Sequence, residues 1–262
     1  MPFSVDMLIN KAKLTKLSTV KVSMFVLKRK NVIIVSVLII TALTFVFCFS
    51  ALNTSQIGNA NASKIKIVLD AGHGGIDGGV SGVRTGVKES ELNLKVVKKL
   101  EKYLIDAGMV VILTRNSEAG LYGVANSSLK RKDMEKRRDI IESAKPDLVI
   151  SIHMNKYSLS TRRGAQVFYK AGDEMGIRLA NSVQGALNDM DSTTRKYSAL
   201  KGDYYILNCS TYPSIITECG FLSNPEDEAL LINEQYQDQL AYTIYKGIAG
   251  YLAQTAFTYN NV

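Results

Sequence analysis

From residue 64 onward, apolar positions follow two rhythms, short unbroken runs and longer stretches spaced three and four apart, and the two alternate along the chain. Ile65, Ile67, Val68 and Leu69 form the first run, which stops at Asp70 and a glycine-rich stretch from Gly72 to Gly86. This predicts a strand over 64–70 feeding a loop. Leu92, Val96, Leu100 and Leu104 then recur every fourth residue and end at Gly108, the pattern of an amphipathic helix over 89–107. Further strands are predicted at 110–114, 147–152 (after Pro146), 164–169, 204–207 and 214–217, and further helices at 132–143, 173–187 and 235–252. Strand-helix-strand order predicts an α/β sheet with parallel members, because parallel neighbours need a crossover about as long as a helix. No internal repeat or low-complexity tract interrupts it.

The first sixty residues do not share this rhythm. Val32 to Leu52 is 21 residues without a charge, preceded by Lys28, Arg29 and Lys30. That length spans a bilayer as a helix, and the basic flank places the N-terminal side in the cytoplasm and the rest outside. The run reads as a membrane anchor, or alternatively as a long-tailed signal peptide with Ala60-Asn61-Ala62 as the cleavage site. Residues 53–63 (NTSQIGNANAS) have a linker composition. The expected organisation is therefore a leader, membrane segment and linker over 1–62 and one folded domain over 63–262, with the domain outside the cytoplasm.

The net charge of +8 changes little in this picture once it is divided. Residues 1–62 hold seven Lys/Arg against Asp6, leaving 25 basic and 23 acidic side chains in 63–262. A nearly neutral domain without a clustered basic excess argues against a nucleic-acid partner. The one dense patch, Lys130 to Lys132 with Lys136 to Arg138, is interleaved with Asp133, Glu135 and Asp139 and reads as a solvated helix face. Cys48 reads as a buried apolar residue, and Cys209 and Cys219 are too few for a disulfide scaffold or a cysteine metal site, leaving at most one bridge.

The candidate chemistry lies at the strand ends. The chain has two histidines, and each follows an apolar strand: His73 after IVLDAG and His153 directly after LVISI. Loops past the carboxyl ends of parallel strands form the functional rim of such sheets, so both imidazoles can converge there. Two imidazoles do not complete a catalytic zinc site, which needs a third ligand and an open position. Glu89 and Glu91 are the candidates, since both begin the helix that follows the His73 loop, and spacing alone does not choose between them. Glu218 ends the run PSIIT and is followed by Cys219 and Gly220; a carboxylate emerging beside a metal suits proton transfer from water to a leaving amine. Cys219, one residue on, is expected to face the other way and pack. The glycine-rich stretch lacks the endings of a phosphate loop and instead brings His73 and Asp77 near a substrate.

These residues lie in motifs that resemble a known family. DAGHGGIDGG, KESELNL, LTR at 113–115, MEKR, DLVISIHMN, GAQVFY, YYIL and PSIITECGFLSNPEDEALL occur in order over Lys64 to Ala253 and resemble the zinc-dependent N-acetylmuramoyl-L-alanine amidases of the type-three catalytic domain. The resemblance implies a single three-layer α/β domain with a mostly parallel mixed sheet between helices, of the phosphorylase/hydrolase-like fold. It implies one Zn2+ per chain held by His73, Glu89 and His153, with Glu218 acting on the attacking water, and so selects Glu89 over Glu91. Ala71 and Met154 stand where the family often has Pro and Ala. With neither wall-binding repeats nor a helical insert between Tyr169 and Leu207, the layout resembles the germination-specific spore-cortex subgroup. The implied activity is hydrolysis of the amide between N-acetylmuramic acid and L-alanine in peptidoglycan, during cortex maturation and germination. A bare, nearly neutral domain further implies a membrane tether or protein helper to hold it on the polymer. The competing readings are a zinc peptidase acting on the stem peptide and a non-catalytic wall-binding module.

Overall fold

The structure, a computed structural model, describes residues 37–41, 44, 64–123, 128–192 and 195–259. The chain divides into two compact units, Met1–Ala62 and Ser63–Val262. In the first, residues 37–41 and 44 are helical, while the rest of the apolar run Val32–Leu52, the linker and Ala60 to Ala62 lie outside the described residues. No helix among the described residues is long and apolar enough to cross a membrane.

In the second unit, β1 (Lys66–Ala71), β2 (Val110–Leu113), β3 (Leu148–Asn155), β4 (Gln166–Tyr169), β5 (Leu200–Lys201) and β6 (Ser214–Phe221) form one sheet in the order β2-β1-β3-β6-β4-β5. The pairs β1/β2, β1/β3 and β3/β6 are parallel, β4 runs antiparallel to β6, and β5 is parallel to β4. Helices α1 (Glu89–Asp106), α3 (Glu174–Asn188) and α6 (Glu234–Tyr259) cover one face; α2 (Leu129–Ala144) and α4 (Tyr205–Asn208) cover the other. This is the predicted three-layer α/β class with a mostly parallel mixed sheet.

Strand alternation decides which side chains become core and which become site. Ile67, Leu69 and Ala71 of β1 and Ile150, Ile152 and Met154 of β3 pack with the apolar stripe Leu92, Val96, Leu100 and Leu104 of α1. Each of the buried Leu, Ile, Val and Met side chains among them contributes about 1.5 to 3 kcal/mol. The alternate positions face α2: Val68, Val149 and Ile216 form a smaller cluster with Ile141, Ile206 and Leu207. Asp70, Ser151, His153 and Glu218 occupy the same alternate phase nearer the carboxyl ends of the strands, with Asp70 paired to Ser151 and His153 paired to Glu218 in register.

Local signals set the helix ends. Gly108, at φ +84, takes the left-handed turn after α1 and returns its N–H to the Ile105 carbonyl at 2.8 Å. Asn224 caps the helix α5 (Pro225–Leu231), its Oδ1 accepting the N–H groups of Glu226 and Asp227 at 2.9 Å each, with Pro225 in the first turn.

Two expectations are corrected and one element is added. Tyr204 to Leu207 is not a strand: Leu207 and Asn208 donate to the Tyr204 carbonyl and Cys209 to that of Tyr205, closing a helical turn that buries the adjacent pair Ile206 and Leu207. A four-residue apolar run carries no period by which to tell the two apart. The short helix α5 was not predicted, because seven residues offer no stripe. The charged face of α2 is not wholly solvated, for Asp133 and Arg137 turn inward with Ile141 at four-residue intervals. Cys209 and Cys219 are both free, and Cys219 packs in the larger core cluster.

Candidate metal and hydrolytic site

Three parallel strands and one helix deliver four side chains to one cavity of about 420 Å³, which His73, Asp77, Glu89, His153 and Glu218 line. His73 follows β1 in a left-handed backbone conformation at φ +61, unusual for a residue with a Cβ. Its Nε2 lies 3.2 Å from Glu89 Oε1, and its Nδ1 lies 3.0 Å from Asp77 Oδ1. His153, near the end of β3, places Nδ1 2.8 Å from the same Glu89 oxygen, and the two imidazole rings are 5.0 Å apart, edge to face. Gly72 makes this approach feasible, because a Cβ there would overlap the His153 ring.

Glu89 is the first residue of α1 and is 2% exposed. Its Oε2 accepts the Val80 N–H at 2.9 Å, and its Oε1 accepts the Met154 N–H at 3.2 Å and Asn93 Nδ2 at 3.3 Å. Burial pushes this carboxyl up, but the hydrogen bonds and charges of His153 and His73 outweigh it and hold the group well below the usual carboxylate range. Burial pushes both imidazoles down, but the carboxylates outweigh it and raise them, Glu89 with Asp77 at His73 and Glu89 with Glu218 at His153. Glu91, two positions along the helix, is not among the residues lining the cavity.

The donor atoms of His73, Glu89 and His153 all lie within 4.8 Å of one another. Two neutral nitrogens and one carboxylate oxygen in that span form a donor set that fits a borderline divalent metal with an open position. Asp77 supplies what such a site needs behind it, a carboxylate on the other ring nitrogen of His73 that fixes its tautomer.

Glu218 stands opposite His153 in the β3/β6 register. It is 9% exposed, and its Oε2 is buried with no hydrogen-bond partner. Burial pushes the carboxyl up, His153 and His73 pull it down and Glu89 pushes it up, and together they raise it to about 7. A buried acceptor with nothing to accept from costs stability, and its position beside the triad fits a group that receives a proton from water.

The model of the family described as N-acetylmuramoyl-L-alanine amidase matches residues 67–250. The chain belongs to that family. It is 36% identical over 192 residues to the germination-specific N-acetylmuramoyl-L-alanine amidase of Bacillus subtilis (strain 168), covering 72% of this chain and 80% of that protein. Among solved structures, the CwlD amidase from Clostridioides difficile, in complex with the GerS lipoprotein, superposes with a TM-score of 0.70 at 34% identity, covering 72% of this chain and 99% of that one. The catalytic domain of CwlV, an N-acetylmuramoyl-L-alanine amidase from Bacillus (Paenibacillus) polymyxa var. colistinus, gives 0.63 at 27% identity, with 72% and 98% covered.

Within this amidase fold, the residues that sequence reasoning missed lie behind the site. Arg137 is 1% exposed, paired with Asp70 and, through Nε at 2.6 Å, with Asp133. Arg115 is 4% exposed and Asp70 1%. Burial pushes the Asp70 carboxyl up, but Arg137, with the hydroxyls of Ser151 and Thr114 at 2.6 and 2.7 Å, brings it down to about 2. The signals that could have found them are their places in the family motifs DAGHGGIDGG, LTR and MEKR and, for Arg137, the four-residue spacing of Asp133 and Arg137 in phase with Ile141.

Proposed function

We propose that this chain is a zinc-dependent hydrolase that cleaves the amide between the lactyl group of N-acetylmuramic acid and L-alanine in peptidoglycan. The observation that carries the reading is the convergence of His73, Glu89 and His153 on one point beside the unpartnered carboxyl of Glu218. His73, Glu89 and His153 would hold one zinc ion. When bound, zinc supplies Lewis acidity toward the scissile carbonyl and toward water at neutral pH.

The protein's own groups do the rest. Glu89 neutralises charge at the site, its orientation fixed by the Val80 and Met154 N–H groups and by Asn93. Asp77 holds the His73 ring by its other nitrogen. Glu218, whose carboxyl titrates near neutrality, takes a proton as water adds to the carbonyl carbon and delivers it to the departing nitrogen as the C–N bond breaks. The products are a lactyl carboxylate and a peptide with a free L-alanine amino terminus.

The identity to a germination-specific amidase supports action on spore cortex, and the complex of the CwlD amidase with a lipoprotein supports a protein helper for this chain. The charge-free run Val32–Leu52 behind Lys28, Arg29 and Lys30 supports export, with this segment as membrane anchor or signal and 63–262 as the catalytic domain. Mass spectrometry of muropeptides after incubation with the zinc-loaded protein tests the activity. New lactyl carboxylates and peptides beginning at L-alanine are expected, and Glu218→Gln should abolish them with zinc stoichiometry retained. Cuts within the stem peptide instead would make the enzyme a peptidase.

A further inference from the structure

We propose that Arg115 and Arg137 are positioning residues of the metal site: Arg115 ties the turn carrying His73 to the helix start carrying Glu89, and Arg137 holds His73 in its left-handed conformation. The inference rests on the reading that His73, Glu89 and His153 bind zinc.

Arg115, just after β2, directs its donors at main-chain carbonyls. Its Nε donates to Ala71 O at 2.8 Å, its Nη2 to Gly72 O at 3.0 Å and to Ser90 O at 2.8 Å, and its Nη1 to Ser117 O at 2.8 Å. Gly72 precedes His73 and Ser90 follows Glu89, so one planar guanidinium sets the separation of two proposed ligands. Arg137 reaches up from α2, where Nη1 donates to Ala71 O at 2.9 Å and Nη2 to His73 O at 2.6 Å. A non-glycine residue at φ +61 needs such over-determination by its surroundings to persist.

For Arg115 the energetics exclude the plainer explanations. Arg115 makes no ion pair among the described residues although it is 4% exposed, and a buried cation without a carboxylate partner is a poor route to stability. Nor does charge help the site, since Asp70 and Asp133 neutralise Arg137, and the Arg115 guanidinium, with no ion-paired carboxylate among the described residues, can only repel a nearby cation. What remains is geometry, for which the rigid five-donor fork of arginine is suited and the ammonium of lysine is not.

The two effects predict opposite signs, which makes the inference testable in the full-length protein. Zinc affinity is measured by competition with a chromogenic chelator for Arg115→Lys, Arg115→Met, Arg137→Lys, His73→Ala and Leu104→Ala, with circular dichroism of each metal-free form. Leu104→Ala opens a cavity in the α1 core, and serves as a destabilised control whose zinc affinity stays within twofold of wild type. Both lysine variants are expected to fold and to lose at least tenfold in zinc affinity although their charge is kept. Arg115→Met is expected to lose as much although repulsion is relieved. Unchanged or tighter binding in the arginine variants, with binding lost in His73→Ala, overturns the positioning role alone. Binding retained in His73→Ala overturns the ligand assignment and this inference with it. Failure of both lysine variants to fold, or an equal loss of affinity in Leu104→Ala, would show general folding roles and overturn the proposal.

Discussion

Glu218→Gln should make the metal-free protein more stable at alkaline pH while destroying its activity. The wild-type carboxyl is moved by burial from 4.5 to about 7. At 1.36 kcal/mol per pH unit this displacement corresponds to ~3 kcal/mol. The sign follows from proton counting. Between pH 4.5 and 7 the unfolded chain has released this proton while the folded chain keeps it, so stability falls as pH rises through that window and the full penalty applies above pH 7. Glutamine has the same shape and no charge to desolvate, although its amide also meets a buried position with no partner, which costs ~1 kcal/mol. The net expectation is a gain of about 2 kcal/mol at pH 8. Urea denaturation of both proteins with excess chelator at pH 8 and pH 4 measures it, and the gap should close or reverse at pH 4. Equal stability at pH 8, or the same gap at both pH values, would show that the Glu218 carboxylate ionises in the fold without penalty and would refute the reasoning.

Other expectations are more local. Glu89→Gln should lose zinc and turnover together, whereas Glu91→Gln should keep both, as metal content and activity of the two variants will show. Gly72→Ala should lower zinc affinity at least tenfold, because the added Cβ overlaps the His153 ring; chelator competition reads this directly. Asp70 contributes stability in the opposite pH direction from Glu218. With its folded value at about 2 against 3.8 unfolded, the contribution of about 2 kcal/mol is intact above pH 3.8 and lost as pH falls through 2. Acid denaturation of Asp70→Asn should lack that component, starting from a lower stability at neutral pH because Arg137 is left with one fewer carboxylate.

The parts of this protein legible in its sequence are those where the apolar period and the chemistry agree. His73, His153 and Glu218 stood out because each follows a short apolar run that reads as a strand in the alternation with helices, and strand ends gather at one rim. Glu89 was legible as one of two carboxylates, since telling it from Glu91 requires the rotational phase of α1, and the family motif supplied that. Asp70, Arg115 and Arg137 lie in the family motifs DAGHGGIDGG, LTR and MEKR but were given no role, because a hydropathy pattern assigns charge to solvent and is blind to a guanidinium surrounded by carbonyl oxygens. Tyr204 to Leu207 failed for a different reason, as one turn of helix and a four-residue strand share the same apolar string.

The phase of the strands has a consequence for how this molecule can fail. In β1, β3 and β6, odd and even positions are assigned to different tasks: Leu69, Ile152 and Cys219 fill the interior, while Asp70, His153 and Glu218 face the cavity. A slip of β6 by one residue against β3 would exchange the two sets, sending Glu218 into the aliphatic interior and Cys219 toward the cavity. Such an isomer would bury a carboxylate among aliphatic side chains and could not compete with the native pairing. The same alternation that separates core from cavity therefore also specifies the register of β6 against β3.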